Sequence, residues 1–319
     1  MAEARLKCAS LSHPLTIVAA VLTSAPQVAP AIDYRAVLRS QQHGRFDPTT
    51  QPEPNGWWRA TLTPAGPATL HIWWSAAGLD AQAWGPGAEH LLARVPALTG
   101  QLDEPAEVTA VHPAVERAMR HHPIPRIGHG GGLYHTVLPF IIEQRVTTRE
   151  ALRSYASLCR VFGEPAPGPR PLQLPPAPKI LATLPYWRFH RFGIERRRAD
   201  TIKAFAGHQR LIDEIESDGL PCLALQRLQL VSGIGQWTIG CAGGPAFGDP
   251  DAIAVGDFWL CHLVTQALTG RPRGSDSEML ELLEPYAGQR GRVISLLTAD
   301  GHGVQRFGPG IRVLPIASM

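Results

Sequence analysis

The sequence predicts an α+β protein, with a small antiparallel β-rich part over residues 1–115 and an all-helical part over 116–319. Three observations carry this. Trp57 to Leu62 and Thr69 to Trp74 are runs rich in β-branched and aromatic residues, separated by turn chemistry at Thr63-Pro64-Ala65-Gly66-Pro67. From about Val111 the apolar spacing changes to a helical period, as at Val115, Ala118 and Met119. No internal repeat is visible, so β-rich first and helical afterwards reads as α+β.

Taken in order, the elements begin with Leu15 to Leu22, an apolar run that follows Lys7. Eight residues are too few to span a bilayer, and the run reads as a first strand rather than a leader. The two aromatic runs form a hairpin. A helix around Val115 stops at His122-Pro123, and Val137 to Val161 forms one long helix or a helix pair. Two proline-rich stretches, 164–169 and 174–178, make a stiff connection. Further helices are expected at 178–183, 195–207, 209–216, 222–231 and 236–243, with a final helical region from Asp276 to Ala299.

With 319 residues, 44% hydrophobic and 18% charged, the chain is long and apolar enough to bury a core. A formal net charge of +3 permits a nucleic-acid partner without requiring one. Lys7, Lys179 and Lys203 are the only lysines, and arginine supplies the other cations. An arginine fork suits phosphate oxygens, although richness in Ala, Gly, Pro and Arg also follows from a GC-rich genome. The cysteines, at 8, 159, 222, 241 and 261, contain no CxxC pair. Their number and spread argue for reduced thiols in the cytoplasm and against a zinc or iron–sulfur centre. His121, His122, His129 and His135 lack a zinc-ligand spacing.

The most informative segment runs from Leu225 to Leu260. In Val231-Ser232-Gly233-Ile234-Gly235 an apolar helix runs into Gly-x-Gly and another helix begins at once. Glycines permit a tight hairpin and leave the amides of the new helix unpaired, which is a grip for an anion such as a DNA phosphate. An ordinary helix–helix turn has the same spelling. The extended apolar stretch Ala252-Ile253-Ala254-Val255-Gly256 then delivers Asp257. Asp is also a favoured N-cap, so Asp257 reads as the cap of a helix from Phe258, as a functional carboxylate, or as both. Asp249 and Asp251 lie in Gly-Asp-Pro-Asp, a turn signal, and are the weaker candidates.

Leu-x-x-Val-x-Gly-Ile-Gly-x-Trp-Thr, a short loop and an apolar run ending in Asp together resemble the signature of the helix-hairpin-helix DNA glycosylases. The likeness is greatest to the bacterial inducible 3-methyladenine branch and covers roughly residues 115–300. Phe140 to Val146 resembles the segment that carries the residue inserted into the DNA stack, and Gly193 to Ala199 the segment that opens a DNA-facing helix. The resemblance implies a small β domain followed by a helix-hairpin-helix glycosylase domain. The expected activity is base flipping from double-stranded DNA and hydrolysis of the N-glycosidic bond, with alkylated purines as first expectation, in base-excision repair.

Carried over residue by residue, Asp257 stabilises the sugar cation. Gly233, Ile234 and Gly235 form the DNA-binding hairpin. Trp237, Phe258 and Trp259 are candidates for the base pocket or for the core. Gln144 and Arg145 are candidates for the wedge, and Arg196, Arg197 and Arg198 for phosphate contacts, against a solvated helix face. The main-chain carbonyls of Gln229, Val231 and Ile234 would hold a monovalent cation, Na or K, and no other cofactor is required. Relatives that cleave the strand carry a lysine where this chain has Trp237, so simple hydrolysis without lyase chemistry is expected. The stretch 288–297 lacks the indole that lines the pocket in the alkylation branch, which leaves room for another lesion or a bulky modified base. A DNA-binding module without catalysis is the remaining alternative. The protein is expected to be a monomer, away from membranes, in the cytoplasm at the nucleoid.

Overall fold

The computed structural model describes residues 7–8, 20–23, 32–105, 108–218 and 226–303. Within them six strands form one antiparallel sheet: β1 (Lys7–Cys8), β2 (Ala20–Thr23), β3 (Thr50–Glu53), β4 (Gly56–Thr63), β5 (Gly66–Ser75) and β6 (Gly78–Trp84). Their order is β1-β2-β6-β5-β4-β3. The predicted hairpin is β4–β5, whose register pairs Thr63 with Gly66 and so leaves Pro64 and Ala65 as the turn. β2 covers the end of the apolar run 15–22; its earlier residues lie outside the described ones. Two short helices belong to this part of the chain, α1 (Tyr34–Arg39) and α2 (Ala88–Leu98). One sheet face, with Leu70, Ile72, Leu79 and Ala81, packs on Leu91, Leu92, Val95 and Leu98 of α2.

The proline-rich segment is more than a connection. Ala166 donates to Leu172 O and Gln173 donates to Pro48 O, each at 2.9 Å, so the segment folds on itself and onto the start of β3. The non-proline amides make these bonds, because proline has no N–H to offer. Leu172 and Leu174 cover Trp58 and Ala60 on the other sheet face.

The helices that follow are α3 (Pro113–His121), α4 (Leu133–Glu143), α5 (Thr148–Phe162), α6 (Pro178–Thr183), α7 (Trp187–His190), α8 (Arg196–Gly207) and α9 (Gln209–Asp218). After a 3-10 turn at Leu228–Leu230 come α10 (Gln236–Phe247), α11 (Leu260–Thr269), α12 (Asp276–Leu283) and α13 (Arg290–Ala299). The stretch 137–161 is therefore a helix pair, and the first four residues of the helix expected at 222–231 lie outside the described residues. α4 is the axis of the main core: Val137, Leu138, Ile141 and Ile142 meet Tyr155 and Leu158 of α5, Ile202 and Phe205 of α8, Ile212 of α9 and Ala242 of α10. A separate core joins Val115 of α3 to Val264, Met279, Leu283, Val293 and Leu297 of α11–α13. Arg292, almost wholly buried, pairs with both oxygens of Asp103 at 2.8 Å and fastens this second core to the segment after α2.

The sheet meets α4 through a buried polar junction. Arg59 donates to Gln41 O (2.8 Å) and Gly131 O (2.9 Å). His135 of α4 bonds to Thr61 Oγ1 at 2.8 Å and Thr49 Oγ1 at 3.1 Å. Asp47 receives the amides of His43 and Thr49, both at 2.9 Å. No helix among the described residues is long and apolar enough to cross a membrane.

Candidate active site

The hairpin is built from two consecutive tight turns: Val231 donates to Leu228 O at 3.0 Å and Ile234 to Val231 O at 3.1 Å. Val231 and Ile234 are buried and anchor it. Its two glycines differ in kind. Gly233 has φ +91°, and a Cβ there would lie 2.0 Å from Thr201 Oγ1 of α8, so the fold itself demands glycine. Gly235 has φ −115° and a Cβ there would meet nothing within 4 Å. No side chain caps α10 at this end. Its first amides therefore face open space over Gly235, with the partial positive charge of a helix start.

Beside the hairpin, Ser232 and Gly233 share a groove of about 520 Å³ with Glu195, Arg196, Arg197, Asp200 and Thr201. Arg196 and Arg197 are exposed there. Arg196 lies 3.7 Å from Asp200 and over the Tyr186 ring. Arg198 is different from the sequence-based expectation: it is 2% exposed and donates to Ile142 O (2.7 Å) and Gly193 O (2.8 Å). Its guanidinium is spent on backbone carbonyls at the end of α4 and before α8, so it has no fork left for a phosphate.

The segment leading to Asp257 is not extended. Val255 donates to Ile253 O at 2.9 Å, Asp257 to Ala254 O at 3.1 Å, and Gly256 has φ +88°. These turns lie across α10 at Gly240, where an added Cβ would come 2.0 Å from Ile253 O. A small residue on that helical face lets the backbone pass close over it, and Trp237, one turn earlier, then reaches the carboxylate. Trp237 Nε1 donates to Asp257 Oδ2 at 3.0 Å. The other oxygen, Oδ1, accepts the amides of Trp259 (2.9 Å) and Leu260 (3.0 Å) at the start of α11. The helix starts at Leu260, later than Phe258, with Trp259 as its N-cap; Asp257, two residues before that cap, is a half-exposed carboxylate fixed by three donors, two of them amides at the helix start. Asp249 receives the Asp251 amide, and Asp251 pairs with Arg290, as turn residues would.

Phe258 and Trp259 are exposed, at 62% and 38%, and pack edge to face with centroids 4.6 Å apart. They are surface aromatics beside Asp257, not core. Gln144 at the end of α4 is a brace: its amide donates to Gly233 O and Thr238 Oγ1, each at 3.0 Å. Arg145 next to it is exposed and has φ +59°, the only positive φ outside glycine among the described residues. A backbone held in that region costs energy and projects the side chain outward. The carbonyls of Gln229, Val231 and Ile234 are neutral, hard oxygens, which fit Na or K. That of Val231 already accepts the Ile234 amide and would offer its second lone pair.

One group escaped the sequence reading. Glu143, the last residue of α4, is half-buried near Asp257. Burial pushes its carboxyl above the usual range, the Thr148 hydroxyl pulls it partly back, and the charge of Asp257 pushes it up again. Cys241, one turn beyond Trp237, is raised by burial and then by the same two carboxylates. The signal was a carboxylate closing an otherwise apolar helix immediately before Gln144-Arg145.

No protein-family model matches the chain, and no curated protein matches it by sequence. Solved structures do match. The 3-methyladenine DNA-glycosylase from Archaeoglobus fulgidus aligns over 88% of this chain and 98% of its own, with TM-score 0.69 and 15% identity. The Clostridium acetobutylicum 8-oxoguanine glycosylase/lyase in complex with double-stranded DNA aligns over 94% and 98%, with TM-score 0.63 and 11% identity. MBOgg1 with a low-affinity DNA ligand aligns over 94% and 100%, with TM-score 0.63 and 13% identity. The fold is that of these glycosylases. The likeness spans both the sheet and the helices, so the β-rich first part belongs to the shared architecture.

Proposed function

We propose that the chain is a monofunctional DNA glycosylase, which flips a damaged or modified base from duplex DNA and hydrolyses its N-glycosidic bond. The observation that carries this is Asp257, oriented by the Trp237 indole and two amides, on the segment that crosses the helix starting at an uncapped hairpin. The solved structures of the same fold include two that contain DNA.

In this reading a phosphate docks on the open amides over Gly235, and Arg196 and Arg197 hold the neighbouring backbone. Such contacts position the duplex without reading its sequence. A monovalent cation on the Gln229, Val231 and Ile234 carbonyls would add a bridge to phosphate. Arg145 fills the gap that the flipped base leaves, with Gln144 bracing it against the hairpin. Phe258 and Trp259 offer aromatic faces to the base. As the glycosidic bond breaks, its electron pair leaves with the base and positive charge grows on the sugar. A fixed carboxylate beside that charge stabilises it, and water then adds at the anomeric carbon.

Strand cleavage needs an amine in the site to attack the sugar. Trp237 stands at the hairpin position, Lys203 donates to Leu184 O at 2.6 Å, and Lys179 lies exposed on α6. Incubation with duplexes bearing single modified bases should give abasic sites that break only on alkali treatment, and borohydride should trap no adduct. An efficiently trapped adduct would refute the monofunctional mechanism. An absence of base release across alkylated, oxidised and deaminated bases would refute the glycosylase reading itself.

A further inference from the structure

The geometry points to a DNA-binding surface beyond the hairpin groove: Tyr186, Trp187, Arg188 and Arg191, on and beside α7, hold the backbone of the same duplex about three nucleotides further along. This deepens the glycosylase reading and rests on it.

Placement comes first. The segment from Tyr186 to Phe192 divides its side chains sharply. Phe189 and Phe192 are buried in the main core, and Phe192 meets Phe162 of α5. Lys203 of α8 donates to Leu184 O just before the segment. These contacts fix α7 against α8. Tyr186, Trp187, Arg188 and Arg191 are exposed, Trp187 at 61%, the most of any tryptophan among the described residues. The core is filled by the two phenylalanines and does not account for the indole.

The surface is continuous with the hairpin. The groove beside Ser232 and Gly233 reaches Arg196 and Arg197. There the Arg196 guanidinium lies 4.8 Å over the Tyr186 ring, and Trp187 stands edge to face on Tyr186 with centroids 5.5 Å apart. These two contacts carry the surface from the groove to Trp187, a reach of about three nucleotide steps at roughly 3.4 Å each. Tyr186 is a positioning residue within it, since its ring supports the Arg196 fork at the groove mouth.

Charge names the occupant. Arg188 and Arg197 have no carboxylate partner among the described residues, and Arg191 lies over its neighbour Phe192. The two carboxylates of the groove are already engaged. Glu195 accepts the amides of Arg197 and Arg198 at the start of α8, and Asp200 lies 3.7 Å from Arg196. Unanswered guanidinium forks along one surface fit a row of phosphates, and the flat aromatic faces between them fit the deoxyribose that separates phosphates. A second copy of the chain packed on the same patch would set arginine against arginine.

The test is equilibrium binding to duplexes that hold one tetrahydrofuran abasic-site analogue and grow one base pair at a time, on one side of the analogue and then on the other. Wild-type affinity should rise by about tenfold as the duplex reaches α7 on one side. Trp187→Ala should remove most of that rise, on that side alone, and Trp187→Phe should keep it. On long duplex, Arg188→Ala and Arg191→Ala should each lower the slope of log affinity against log salt concentration by about one. Melting temperatures should stay within about 2 °C of wild type, because these side chains are exposed. A Trp187→Ala variant that keeps the rise on both sides overturns the proposal. So does one that weakens binding by the same factor at every length, or one whose only change is loss of self-association without DNA. A wild type that prefers abasic-site duplex no more than undamaged duplex of equal length would instead strike at the glycosylase reading, and the length series on undamaged duplex would still decide the α7 surface.

Discussion

The two ends of α4 carry two polar clusters built from similar residues with opposite consequences. At the first end, Arg59, Asp47, His43 and His135 are buried between sheet and helix, and charges of opposite sign lie together. At the other end, Glu143 and Asp257 are half-exposed beside an open hairpin, and the charge of Asp257 pushes the Glu143 carboxyl up instead of answering it. A cluster whose groups answer one another and whose surface is closed acts as structure. A cluster that repels itself and faces solvent needs a ligand or a reaction to account for it. The account therefore predicts that acid disturbs the first end through stability and that substitutions disturb the second through function.

The largest effect expected at the first end is acid instability. Burial lowers His43 from 6.5 to about 4 and holds His135 well below its ordinary value. The folded state keeps both neutral, while the unfolded chain takes up protons below 6.5. Stability is thus fully present above pH 6.5 and lost progressively as pH falls toward 4, by about 3 kcal/mol for a shift of this size. Denaturant unfolding from pH 7.5 to 4.5 should show this slope, and His135→Gln should flatten it. A flat profile in the wild type would mean that the junction is not closed.

A smaller effect separates the two glycines of the hairpin. The fold leaves room for a side chain at Gly235 but not at Gly233. Gly235→Ala should leave the melting temperature within about 2 °C of wild type and weaken binding by roughly tenfold, about 1.4 kcal/mol, to lesion and undamaged duplex alike. Equal affinity in the variant would remove the phosphate from the hairpin. A loss on lesion DNA alone would move Gly235 into base recognition.

The sequence showed some of this plainly and some not at all, for identifiable reasons. The β4–β5 hairpin was visible because large aromatics flank a proline–glycine turn. β6 was not, because its inward positions include Ala81 and Ala83, too small to mark an alternation. β3 carries Pro52, which an edge strand tolerates but which reads as a loop. α2 contains Pro96, which reads as a break. At the site, Gly233, Trp237 and Asp257 stood out by local spelling, but what holds them is not local: Gly233 faces Thr201 of α8 and accepts from Gln144, and Trp237 reaches Asp257 twenty residues on. Arg198 was misjudged because three consecutive arginines look alike until a helix phase buries one of them. Glu143 was missed because its partner lies more than a hundred residues away, and no local pattern reports a repulsion across the fold.

The most direct test of the central claim is single-turnover base release by Asp257→Asn, on whichever modified duplex the wild type cleaves. Asn keeps an oxygen for the Trp259 and Leu260 amides at the start of α11 and gives up the acceptor for the Trp237 indole, so the fold and the DNA contacts made elsewhere should be retained. Base release should fall by about 100-fold or more, because the carboxylate charge beside the sugar is gone, while the turn variant Asp249→Asn keeps wild-type release. Release by Asp257→Asn within a few-fold of wild type would contradict the account at its centre.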